Sequence, residues 1–254
     1  MARKTVYLQT HSWQSIVDPP RSAISKLEQQ WPRAKLIVCK HAGTTSDIQL
    51  LFSPLLYALT FDILNGKPKP ELQGQRSRLP ELRYVLLNNV RLRVLDIRSR
   101  YCSSQKFHSD QVQLRSMNLP LQSSDRLPPL HELTFSGPEP YEFDLSHVKL
   151  WSQCMDWSQL RTLDLGLSCP QHFFEEIGGQ LIGLKSLTLG IGTGPRRNSP
   201  WKSGPMTCET LEPATQFIAS LPGLHELHIT DLDAATETIV PTILETQKSL
   251  QALS

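Results

Sequence analysis

Three sets of residues in this chain are of types that do chemistry elsewhere, and each fails on spacing or context. His225-Glu226-Leu227-His228 has the residues of a zinc-binding helix, whose two imidazoles must project from one helical face. That geometry needs histidines four positions apart; here they are three apart. The surrounding apolar pattern is that of a strand, whose alternation sends His225 and His228 to opposite sides. Gly190-Ile191-Gly192-Thr193-Gly194 follows a strand pattern, as a dinucleotide loop does. Pro195-Arg196-Arg197-Asn198-Ser199-Pro200 comes next, where a helix N-terminus would have to hold phosphate. Asp96 and Asp164 occupy equivalent places in two strands with another strand between them, so they make no acid–base pair. There is no Gly-x-Ser-x-Gly elbow and no Walker loop. The five cysteines, Cys39, Cys102, Cys154, Cys169 and Cys208, form no Cys-x-x-Cys pair and are odd in number. Buried, reduced thiols are the expectation, not a zinc site or a disulfide framework. The residues thus point to no catalytic group, no metal and no cofactor.

Recognition chemistry is better supplied. Within an insertion at about 190–207, Arg196, Arg197 and Trp201 lie among glycines and prolines. Guanidinium forks take carboxylate or phosphate, and tryptophan anchors interfaces. Across residues 64–106, ten basic residues face three acidic ones, a local balance of +7 against +2 for the whole chain. Solvated loop charge is the first reading of such a patch, and attraction of an acidic protein partner the second. Nucleic acid ranks below that, because neither aromatic interleaving nor a nucleic-acid motif accompanies the charge.

The elements that must position these residues announce themselves by a repeated phrase, Leu-x-x-Leu-x-Leu, with Ile or Phe accepted last. It occurs at Leu56-Leu59-Phe61, Leu92-Leu95-Ile97, Leu130-Leu133-Phe135, Leu160-Leu163-Leu165, Leu184-Leu187-Leu189 and Leu224-Leu227-Ile229. Leu250-Leu253 is a shortened copy and Leu114-Met117-Leu119 a weaker one. A strand phrase recurring at roughly 20–29 residues is the mark of a leucine-rich-repeat solenoid. The gaps between copies are irregular, so loops must interrupt several units. Helical spacing appears between the phrases: at 22–31, at Leu82 to Leu87, at Phe173, Phe174, Ile177 and Leu181, at Leu211 to Leu221, and around Ile239 and Ile243. The expected fold is α/β, an irregular horseshoe with parallel strands on the concave face and helices outside. Residues 1–32 form an N-terminal segment with a helix at about 22–31. Residues 33–254 form the repeat domain, with loop insertions at about 64–79 and 190–207.

In each phrase the leucines point inward, and the residues between them line the other face of the sheet. Third positions read Ala58, Val94, Glu132, Thr162, Ser186 and Glu226; fifth positions read Thr60, Asp96, Thr134, Asp164, Thr188 and His228. Seventh positions read Asp62, Arg98, Ser136, Gly166, Gly190 and Thr230. These rows are small and polar with no aromatic anchor, so a solvated surface is their first reading and recognition is expected more in the insertions. The candidate partner-binding residues are Asp62, Asp96, Arg98, Arg100, Glu132, Asp164, Glu226 and His228 on the sheet, with Arg196, Arg197 and Trp201 in the insertion. Many leucine-rich repeats carry an Asn eight residues after the first Leu. Here those places hold Leu64, Arg100, Pro138, Ser168, Gly192 and Leu232, so the turns must satisfy their backbone groups another way.

Composition sets outer bounds. Charged residues make up 20% and hydrophobic ones 39%, an ordinary globular balance. The first residues, Met1-Ala2-Arg3-Lys4-Thr5-Val6-Tyr7, have no apolar stretch behind them, which speaks against a signal peptide. The most apolar window, 50–61, contains Pro54 and falls short of the roughly 20 residues a membrane span needs. An intracellular protein, cytoplasmic or nuclear, without a membrane partner is expected.

Leu127-Pro128-Pro129-Leu130, then Leu150-Trp151, then Met155-Asp156-Trp157-Ser158-Gln159-Leu160, occur in an order that resembles the repeat region of fungal F-box/leucine-rich-repeat proteins. Leu92-Arg93-Val94-Leu95-Asp96-Ile97 and Leu221-Pro222-Gly223-Leu224-His225-Glu226-Leu227 are similar to further repeats of that family. The resemblance covers roughly residues 20–254. It implies a substrate-recognition role in a ubiquitin ligase, with an F-box docking a Skp1-type adaptor. No Leu-Pro-x-Glu opening of an F-box precedes Trp31, so adaptor contact requires an F-box upstream. The chain also stops inside its last phrase without a polar capping repeat, as a truncated gene product or a divergent relative would.

Overall fold

The computed structural model of the protein describes residues 5–9, 21–41, 51–65, 79–101, 119–137, 143–166, 170–190, 212–230 and 239–254. Among them, nine strands form one sheet in which spatial order equals chain order. They are β1 (Thr5–Gln9), β2 (Lys35–His41), β3 (Leu56–Asn65), β4 (Val94–Tyr101), β5 (Glu132–Ser136), β6 (Thr162–Asp164), β7 (Ser186–Gly190), β8 (Glu226–Thr230) and β9 (Ala252–Leu253). Every neighbouring pair is parallel. Parallel pairing obliges the chain to return to the same end before each new strand. Six helices lie on the return segments: α1 (Arg21–Gln30), α2 (Leu79–Asn88), α3 (Leu145–Cys154), α4 (Gln171–Ile177), α5 (Glu212–Ser220) and α6 (Val240–Thr246). The protein is thus α/β with an open, all-parallel sheet.

The leucine phrase explains the register. Its second Leu forms one continuous row, Leu59, Leu95, Leu133, Leu163, Leu187, Leu227 and Leu253, each paired with the next. All but the last are at most 1% exposed; Leu253, at the end of the stack, is 38% exposed. The first leucines of the six full copies are also buried, as are Phe61, Ile97, Phe135, Leu165, Leu189 and Ile229. Burying each such side chain contributes about 1.5–3 kcal/mol, so a one-residue slip in any strand would forfeit a whole row. The shortened copy at Leu250-Leu253 does make a strand, whereas β4 pairs directly with β5. The weaker copy at Leu114 therefore adds no strand between them; its residues 114–118 lie outside the described residues.

A second row solves the turn problem left by the missing Asn. The residue three places before each phrase is buried throughout: Ser53, Asn89, Leu127, Trp157, Leu181, Leu221 and Gln247. At Ser53, Asn89, Trp157, Leu181 and Gln247 its carbonyl accepts the N–H of the first Leu, at 3.0–3.1 Å. Where this residue is polar it also ties one repeat to the one before. Asn89 Nδ2 donates to the carbonyls of Leu51 and Val85, both at 2.7 Å. Gln247 Oε1 accepts from Leu224 N at 2.9 Å, while its Nε2 donates to Ile218 O at 2.6 Å and Leu221 O at 3.2 Å. Ser53 Oγ accepts from Leu55 N and donates to Glu28 of α1.

Helices α1, α2, α4, α5 and α6 fall where the apolar spacing expects them. Helix α3 was not expected; its inward stripe is His147, Val148, Trp151 and Cys154, and the histidine that opens it does not count as apolar in a periodicity. Asp144 caps it, accepting from His147 N at 2.9 Å. Trp151 and Trp157 are each 1% exposed. They join sheet to helices through edge contacts: Phe135 with Trp151, Phe135 with Phe143, Phe143 with Phe173, and Trp157 with Phe173, at 5.0–6.2 Å between centroids. Strand β1 was also not expected; the N-terminal segment places it beside β2. Residues 64 and 65 complete β3 and Gly190 completes β7, so these ends of the two insertions are strand. The remainder, 66–78 and 191–207, lies outside the described residues.

Candidate protein-binding face

On the face opposite the leucines, the positions between them align into ordered rows. The fifth-position row runs Thr60, Asp96, Thr134, Asp164, Thr188 and His228, each in direct register with its neighbour. Strand spacing in a sheet is about 4.8 Å, so six side chains are spread over roughly 24 Å. Thr60 through Thr188 are half-buried and His228 is exposed. The third-position row, Val94, Glu132, Thr162, Ser186 and Glu226, runs beside it, with both glutamates exposed.

Local bonding gives this face its fixed points. Asp96 accepts from Arg98 Nε at 2.6 Å and from Ser136 Oγ at 2.7 Å, drawing β4 and β5 together. The pair is partly exposed, with Arg98 at 37% and Asp96 at 15%. Two strands along, Asp164 accepts from Gly166 N at 2.8 Å. Burial holds the Asp164 carboxyl above the usual range; the Gly166 amide opposes this, Asp96 adds to it, and His228 opposes it. Gly166 itself is required: its φ is +59°, and a Cβ there would stand 2.5 Å from Phe135 O. At the far end Ser186 Oγ donates to Glu226 at 3.0 Å, and His228 Nδ1 lies 2.6 Å from Ser254 Oγ.

Of the expected candidates, Asp96, Arg98 and Asp164 share the centre of this face, Glu132 flanks it, and Glu226 and His228 close one end. Asp62 is a correction. It was expected to project outward, yet it is 5% exposed. It lies in β3 in register with Arg98 of β4, and its side chain is buried, not presented to solvent. Arg100 belongs to β4, but its side chain lies outside the description, as do Arg196, Arg197 and Trp201 altogether. Ser136 and Thr134, which the sequence reading placed in rows without singling out, turn out to be the bridge and the midpoint. Register alone could have found them, since both sit between the two aspartates.

Among the described residues, no group of three or more His, Cys, Asp or Glu is arranged to hold a metal ion. No helix there is long and apolar enough to cross a membrane. Cys154 is buried as a free thiol, its Sγ 3.2 Å from Gln122 O. No protein family, curated protein or solved structure matches the chain.

Proposed function

We propose that this protein is a leucine-rich-repeat module, a solenoid of irregular horseshoe type, that binds a protein partner across its open sheet face without catalysing a reaction. The observation that carries this reading is the six-strand row from Thr60 to His228, in register and reachable by solvent while the opposite side of the same strands is fully buried. A long, polar, pre-ordered surface with few mobile side chains costs little ordering entropy on association. The phrases around Leu127, Trp151 and Trp157 support a more specific form: the substrate-recognition part of an F-box ubiquitin-ligase receptor. In that form the Skp1-type adaptor is met by an F-box, and the face described here meets the substrate.

Thr134→Arg tests the proposal. It places a long cation at the midpoint of the row, between Asp96 and Asp164. Gln153→Arg, exposed on α3, is the matched control. Affinity purification with quantitative mass spectrometry should recover a partner with the unaltered chain and with Gln153→Arg, and lose it with Thr134→Arg. Equal recovery by all three would return the chain to the alternative of a structural scaffold whose sheet face is plain solvent boundary.

A further inference from the structure

A third row, at the second position of the phrase, lies on the rim where the strands begin. Between Tyr57 at one end and Gln251 at the other it reads Arg93, His131, Arg161, Lys185 and His225. Its alignment is fixed by the backbone. Arg93 O accepts from the amides of His131 and Glu132 at 2.7 and 3.0 Å, and His131 O from those of Arg161 and Thr162 at 2.8 and 3.0 Å. Arg161 O and Lys185 O repeat the pattern for the next two strands. Five basic or imidazole side chains are therefore stacked one strand apart. Like charges set side by side across strands destabilise a sheet. The fifth-position row avoids this by placing Thr between its charged members, whereas Arg161 and Lys185 stand on adjacent strands.

The guanidiniums are held in place. Arg93 Nη1 donates to Val90 O at 2.8 Å and Leu92 O at 2.7 Å, and Arg161 Nη1 donates to Gly183 O at 2.8 Å. Gly183 makes that possible, since a Cβ there would come within 2.6 Å of Arg161 Nη1 and 2.4 Å of Ser158 O. Two exposed aliphatic side chains share the rim: Val90, 74% exposed, and Ile182, 67% exposed, each three residues before a basic member of the row. Exposed Glu132 and Glu226 border the row on its sheet side.

We propose that this rim binds an extended segment of a partner protein in which acidic residues alternate with apolar ones. Anchored guanidiniums suit carboxylates, and Val90 and Ile182 supply apolar contacts that a phosphate backbone would not use. Glu132 and Glu226 repel a continuous polyanion but not a peptide of mixed character. This inference rests on the protein-binding reading above and names a second surface and its chemistry. From Arg93 to His225 the rim is about 19 Å long at normal strand spacing, so a peptide of about twelve residues covers it with margin.

The test is fluorescence anisotropy on the full chain with three probes: a labelled Glu-Leu-Gly repeat peptide, its Lys-Leu-Gly counterpart and a single-stranded oligothymidylate. The acidic peptide should bind and the basic one should not. Lys185→Glu should weaken binding by about tenfold or more, and Ile182→Ser by roughly threefold. Lys149→Glu, the same charge change on α3, should leave it within about twofold. Circular dichroism confirms that each variant folds. Absence of acidic-peptide binding, equal losses from Lys185→Glu and Lys149→Glu, or tighter binding of the oligothymidylate with no effect of Ile182→Ser would each overturn the proposal. None of these results bears on Thr134→Arg, whose failure would instead remove the sheet-face reading.

Discussion

Gln247 and His147 show how much single buried polar residues carry in this protein. Gln247 is 2% exposed and bonds to three backbone groups of the preceding repeat. Gln247→Leu leaves the Leu224 amide and the Ile218 and Leu221 carbonyls without that partner, and should cost about 2–4 kcal/mol in urea denaturation. A loss under about 0.5 kcal/mol would mean that the bridge is incidental. His147, also 2% exposed, accepts from Trp151 Nε1 at 2.7 Å, and burial lowers its pKa to about 4, against a smaller opposing effect of Asp144. The unfolded chain takes up this proton at its ordinary pKa of about 6.5, before the folded protein does. Stability is therefore full above that pH and falls as pH drops towards about 4, by roughly 3 kcal/mol in all. His147→Gln keeps an acceptor for Trp151 but does not titrate, so the difference between the two denaturation profiles should shrink across this window; parallel profiles would refute the assignment. Neither role was legible in the sequence, where a lone Gln or His among polar neighbours looks like surface.

At the scale of elements, strands were legible and their connections less so. The strand phrase repeats because each copy must put two or three apolar residues onto one buried face, and only a strand period does that here. Strand β1 escaped notice because Thr5-Val6-Tyr7-Leu8-Gln9 lacks the phrase and gains its place only by pairing with β2. Helix α3 is hard to see because a histidine opens its inward stripe. Turns obeyed rules that only three-dimensional neighbours reveal. Gly166 sits under Phe135 O with φ +59°, so Gly166→Ala should destabilise by about 1–3 kcal/mol through strain and the close carbonyl. Thermal melts should show this, and an unchanged midpoint would argue against the turn geometry. The ion pair of Arg83 with Asp125, at 2.6 and 2.7 Å, fastens α2 to the segment leading into β5. The hydrogen bond from Arg83 holds the Asp125 carboxyl below its usual range against the effect of burial, so this fastening persists to lower pH than an ordinary carboxylate would allow.

Among the described residues, each strand pairs with its neighbours in sequence order, so stability should be shared along the stack and weakest at its ends. Leu133→Ala, in mid-row and fully buried, should cost about 2–5 kcal/mol, whereas Leu253→Ala at the exposed end should cost under about 1 kcal/mol. Similar losses at both sites would contradict a chain-ordered stack. The sequence makes the sheet face legible as rows, whereas the burial of Asp62 depends on three-dimensional neighbours that no residue type advertises. What a sequence of rows cannot state is which rows a partner touches. The most direct measurement is site-specific photocrosslinking, with a benzoylphenylalanine at Thr188 in the fifth-position row and, separately, at Gln153 on the outside of α3. Recognition by the sheet face gives a partner adduct from Thr188 and none from Gln153. An adduct from Gln153 alone would contradict recognition by the sheet face.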